Sequence, residues 1–183
     1  MANQFVTGLG ETLSPTADRS QAAIRGLPST AAIAGHPLHP MMIPYPVAFL
    51  TGALATDLAA RRGDDPFWGR ASRWLLGAGV VSGLAAGAVG AIDYFTIRRA
   101  REKAVGKIHA YGNVAAIGLA SINWSLRGTD DERPTNVQLA LTGATFALVG
   151  LTGWAGAELS YRHMVGVAGH GDQHDHADKQ IVS

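Results

Sequence analysis

The chain has no cysteine. That removes disulfides, zinc–thiolate sites, cysteine-ligated iron–sulfur clusters and covalent c-type haem attachment in one step. Charge is scarce too: Asp, Glu, Lys and Arg make up 16% of 183 residues, with a net charge of +1 when His is neutral. So weak a balance argues against a nucleic-acid partner. The first 30 residues lack a 7–15-residue apolar core followed by a cleavage pattern, so no signal peptide is expected there. No GxSxG, phosphate loop, HExxH or nucleotide fingerprint occurs. No catalytic constellation is visible, and whether the chain is an enzyme stays open.

What the chain does have is long uncharged runs. The mean hydropathy of +0.10 understates them, because polar segments at both ends dilute the average. Four stretches run from about Pro40 to Ala60, Trp74 to Ile92, Ile108 to Leu126 and Pro134 to Ala157. Each approaches the roughly 20 residues that cross about 30 Å of hydrocarbon. Their connections are short, which makes neighbouring helices antiparallel. The expected fold is all-α: a four-helix transmembrane bundle, up-down-up-down, with both termini on one side. The expected organisation is a polar N-terminal segment (1–33), a four-span membrane domain (34–165) and a His/Asp-rich tail (166–183) holding His170, His174 and His176. Residues 93–107 carry Arg98, Arg99, Arg101, Lys103 and Lys107 against one acid, Glu102. Lys and Arg near span ends mark the cytoplasmic side, so the termini are expected there, in a bacterial inner membrane. Tyr45, Tyr94, Tyr111 and Tyr161 fall at the terminus-side interface, and Phe67, Trp68, Trp74 and Trp124 at the other.

Periodicity assigns faces. Gly79, Gly83, Gly87 and Gly90 form a small-residue stripe on the second span. It suits close helix packing or, in a sharper reading, leaves room for a flat ligand such as a porphyrin. His109, Asn113, Ala116, Ala120 and Asn123 share one face of the third span. That face should point inward, with both amides hydrogen-bonded between helices. On the fourth span Gly143, Ala147, Gly150, Trp154, Glu158 and Tyr161 share a face, which is expected to turn inward. Asp57 is expected to pair with Arg61 at i,i+4.

Ligand-type residues gather at one rim. In GHPLHPMMIPYP the prolines push His36 and His39 toward extended conformations, and Pro40 suits a first helical turn. Asp93 ends the second span, His109 opens the third and His163 closes the fourth. Threading brings all five to the terminus side. Imidazole nitrogens suit Fe, Cu or Zn, and a carboxylate can ligate or orient a histidine. Two histidines, such as His109 and His163, could clasp haem b iron axially. The same residues could instead form a structural interfacial network. A proton path is a third reading, but Asp57, Asn113 and Asn123 give it only a sparse line.

The run GHPLHPMMIPYP, the Gly-rich span ending in Asp93, and His109 opening the next span together resemble the bacterial membrane proteins grouped as domain of unknown function 2231. The resemblance covers about residues 33–165. It implies a four-helix integral membrane protein, and relatives that look fused to Rieske-type iron–sulfur domains imply redox work. The expected function is a small membrane subunit with a histidine-cluster metal or haem b site. It would transfer electrons within a larger membrane-associated redox complex. The alternative is a non-catalytic anchoring subunit with no cofactor.

Overall fold

The structure is a computed structural model, described for residues 26–128 and 133–167. The polar tail with His170, His174 and His176 lies outside the described residues, as does the N-terminal segment up to residue 25.

The chain enters through a two-stranded hairpin, β1 (Ala32–Ile33) and β2 (His36–Pro37), pairing Ile33 with His36. Ala34 and Gly35 form the two-residue turn, with φ of 49° and 78°. Both values are positive, as a type I′ hairpin turn demands. Among the described residues this short ribbon and an isolated bridge between Leu27 and Val165 are the β structure in an expected all-α chain, and the ribbon holds His36 extended. His39 is not extended as expected: it lies in helix α1 (Leu38–Met42). Pro40 falls in the first turn of α1, where its missing N–H breaks no hydrogen bond. Helix α2 follows at Pro44–Arg62. Then come α3 (Phe67–Thr96), the short α4 (Arg98–Glu102), α5 (Ala104–Ser125) and α6 (Asn136–Tyr161). A full capping box starts α6: the Thr135 hydroxyl accepts from the Gln138 N–H, and the Gln138 side chain accepts from the Thr135 N–H. Two otherwise orphaned donors are thereby satisfied.

Among the described residues three helices are long and apolar enough to cross a membrane: Leu38–Arg62, Phe67–Thr96 and Asn136–Tyr161. Four were expected. Helix α5 is also long, 22 residues or about 33 Å. It is absent from that set, and Lys107, His109, Asn113 and Asn123 are spread along it.

Helix α2 packs on α3 and α6, and α5 packs on α3 and α6. Contacts fix the directions. On α3, Gly79 faces Leu50 and Gly90 faces His39, so α2 and α3 run oppositely. Gly83 meets Ile117 and Gly77 meets Trp124, which sets α5 antiparallel to α3. Arg61 reaches Asn136 and Asp57 reaches Thr142, which does the same for α2 and α6. The apolar centre is Leu50, Ala53, Leu76, Val80 and Ala120. A Cβ on Gly79 would come 2.6 Å from Leu50 Cδ2, one on Gly83 3.2 Å from Ile117, and one on Gly90 2.7 Å from the His39 ring. The glycine stripe is therefore filled by side chains of neighbouring helices, and the close-packing reading replaces the porphyrin slot.

The inward face of α5 is as expected: Ala116, Ala120 and Asn123 are buried. That of α6 is not. Gln138, Thr142, Thr145, Thr152, Ala155 and Leu159 are buried, while Trp154 and Tyr161 are exposed and Gly143 and Gly150 touch nothing. Glu158 is half-buried and paired with Arg162. The helix is rotated because amides and charges on the other helices need its threonines. Asn123 Nδ2 donates to the Gln138 carbonyl and to Thr142 Oγ1, and Thr152 Oγ1 donates to Asn113 Oδ1. Unsatisfied polar groups inside a membrane cost several kcal/mol each, more than any gain from turning the glycines inward.

Candidate functional site: a rim histidine pair

At the end of the helical interior nearest the described termini, the imidazoles of His39 and His109 meet edge to face, with ring centres 5.9 Å apart. Each ring is held the same way. His39 Nδ1 lies 2.8 Å from the Ala86 carbonyl oxygen, and His109 Nδ1 lies 2.8 Å from the Thr152 carbonyl oxygen. A carbonyl can only accept, so each Nδ1 carries a proton, and in the neutral form of each ring the lone pair is on Nε2.

Both acceptors are in unbroken helices, where a carbonyl is ordinarily engaged by the N–H four residues on. In both cases that residue is glycine: Gly90 after Ala86 and Gly156 after Thr152. A Cβ there would stand 2.7 Å from the His39 ring or 2.8 Å from the His109 ring. The two glycines clear the approach of each imidazole to the carbonyl. Asn113 completes the pocket wall of His109. Its Nδ2 donates to the His109 carbonyl at 2.8 Å and lies nearly equally far from both ring nitrogens, 3.5 and 3.4 Å. Equal distances place the amide over the ring face rather than in line with the Nε2 lone pair.

The other ligand-type residues have separate settings. His36 is exposed, with Nδ1 2.9 Å from the Ala34 carbonyl. His163 is half-buried at the end of α6, and its carbonyl accepts from Arg99. Asp93 organises the entering chain. Its Oδ1 accepts from the Thr30 N–H, the Ala31 N–H and the Thr30 hydroxyl, and its Oδ2 accepts from Ser29. Among the described residues no three His, Asp or Glu side chains converge as a metal-ligand group.

At the opposite end stands a site whose pairing differs from expectation. Asp57 pairs with Arg127, not Arg61. Arg127 Nη1 donates to Oδ1 at 2.8 Å and Nη2 to Oδ2 at 2.7 Å, with both side chains essentially buried. Thr142 adds a third donor to Asp57, and Ser72 accepts from Arg127. Arg61 instead turns to Asn136 and the Pro134 carbonyl. An i,i+4 rule sees only one helix, and a buried carboxylate takes the cation that can be buried with it.

Residues 35–169 match the family described as Predicted membrane protein (DUF2231). The chain belongs to this family. It sets the protein in a lipid bilayer and assigns no activity. No curated protein and no solved structure matches the chain. Both halves of the matched region thus include one member of the histidine pair.

Proposed function

We propose that the protein is a small integral subunit of a bacterial inner membrane whose rim pair, His39 and His109, binds a transition-metal ion. In this reading α2, α3, α5 and α6 all cross the bilayer, up-down-up-down, with both termini on the cytoplasmic side. The Arg and Lys residues of 98–107 support that orientation. Asn113 and Asn123 face neighbouring helices, which supports α5 as a span despite its polarity.

The observation that carries the metal reading is the common anchoring of the two imidazoles. A histidine ligand commonly donates its second ring nitrogen to a backbone carbonyl, which fixes the tautomer and aims the other nitrogen. Two imidazoles sharing one ion at about 2.0–2.1 Å per bond have ring centres roughly 5–6.5 Å apart. The observed 5.9 Å lies in that window. The donor set suits Fe, Cu or Zn, with the remaining coordination positions open to water or to a group from a partner. His36, His163 and Asp93 have separate partners, and His109 with His163 would be the residues to hold the group should it be haem b. His39 and His109 would hold the ion, and a redox-active one would supply one-electron exchange with a larger membrane-associated redox complex.

A second reading is favoured by the same bonds: the imidazoles staple α1 to α3 and α5 to α6 and bind nothing, in a subunit that anchors an assembly. Elemental analysis and absorption spectra of the detergent-purified protein separate the two. The expected result is about one equivalent of Fe, Cu or Zn, abolished by His39→Ala and by His109→Ala. A Soret band would identify haem b instead of a bare ion. Protein that takes up none of these metals on loading, and shows no haem, leaves only the staple.

A further inference from the structure

The two histidine sites are too alike to be independent, and the likeness extends through the fold. His39 and His109 are 70 positions apart. So are three buried pairs: Leu50 and Ala120, Ala53 and Asn123, Asp57 and Arg127. On the partner helices the interval is 66. Ala86 and Thr152, whose carbonyls accept from the two imidazoles, obey it, as do Gly90 and Gly156, the two glycines beneath the rings. Ser72 and Gln138, Leu76 and Thr142, and Gly79 and Thr145 are equivalent buried positions at the same interval. The cross-links within each hairpin correspond too. Ser72 bonds the Ala53 carbonyl in the first, and Asn123 bonds the Gln138 carbonyl in the second.

We infer that the helices are two copies of one hairpin unit, α1–α3 and α5–α6, related by a pseudo-two-fold axis along the bundle. The ligand-type site at the rim is then the place where the two copies present the same imidazole to the axis. Three equivalent pairs meet across that axis: His39 with His109, Leu50 with Ala120 in the shared core, and Asp57 with Arg127. Contacts between the copies agree, since α3 on α5 and α2 on α6 are one interface seen twice. Any ligand held at the rim receives two equivalent nitrogen donors, one per unit. At the far end, equivalence gives opposite charges. Two first units would bring Asp57 against Asp57, and two second units Arg127 against Arg127. The acid–base pair therefore makes unlike units associate.

The repeat holds whether or not an ion binds at the rim, so its test needs no metal. In the full chain, Gly90→Ala and Gly156→Ala should each dislodge one imidazole. Their falls in thermal midpoint should match within about 2 °C, small against the few degrees expected per disturbed site. Nitrogen NMR of labelled histidine should show one Nδ1–H resonance displaced in each variant. A silent member of this glycine pair overturns the inference. The charge swap is the second arm. Asp57→Arg alone and Arg127→Asp alone should each lower the midpoint by roughly 10 °C or abolish folding. The double swap should recover at least half of that loss in a monomeric protein. If it recovers nothing, the pairing role of the charges is overturned.

Discussion

At one end of the helical interior Asp57 and Arg127 are sealed from solvent, with both carboxylate oxygens and both guanidinium Nη atoms engaged. At the other end His39 and His109 are half-buried, and each has one nitrogen committed and one kept back. Both sites sit at equivalent positions of a repeated hairpin, yet their chemistry differs in kind. A full charge can enter a low-dielectric interior only when its counter-charge and hydrogen bonds go with it. Such a site is closed by its own energetics. A neutral imidazole needs only one partner to be oriented, so it can be fixed firmly and still offer a lone pair. The far end holds helices together, and the proposed metal site at the rim rests on this difference.

Breaking the sealed end should have the largest effect. Arg127→Met leaves Asp57 buried without its counter-charge and should cost about 3–5 kcal/mol, read as a collapse of the thermal midpoint in detergent. Asp57→Leu with Arg127→Met should regain at least half of that. If the double variant is as unstable as the single one, the cost is not that of an orphaned charge. The apolar layer between the two ends comes next. Gly79→Val drives a side chain onto Leu50, which leaves no room for it, and should cost about 1–3 kcal/mol by overpacking. A normal midpoint for this variant would mean that α2 and α3 can separate freely.

At the rim, effects on stability should be smaller and local. Asp93→Ala removes the acceptor for residues 29–31 and should cost roughly 1–2 kcal/mol. Hydrogen exchange should speed up at the Thr30 and Ala31 amides and leave the centre of α3 unchanged. Exchange unchanged at those two amides would show that Asp93 does not hold the entering chain. His109→Ala should lower the midpoint by only a few degrees while removing any bound metal, the reverse of Arg127→Met. Arg98→Ala should change stability by less than about 0.5 kcal/mol, because its pair with Glu102 is mostly exposed. A larger loss would mean that the basic loop is packed against something.

Much of this was legible in the residues. Long uncharged runs located the helices, and a three-four spacing placed Ala116, Ala120 and Asn123 inward on α5. The GHPLHP run pointed to the rim. Helical spacing alone misread α6, where glycine and tryptophan looked like a packing face and threonine did not. It also paired Asp57 with its neighbour on the same helix. The repeat escaped because its copies share burial and geometry more than identity: Leu50 answers to Ala120 and Ser72 to Gln138.

The sequence by itself determined the apolar lengths, the order of the helices and the types of side chain available at each end, because these depend on local runs and short-range spacing. Only the tertiary structure decided which histidines meet, which cation neutralises Asp57 and which stripe of α6 faces inward. Those choices depend on how helices far apart in the chain are rotated and shifted against one another. That rotation is set by where the buried charges and most of the buried donors and acceptors find partners, Asn123 Oδ1 and Arg127 Nε being left without one.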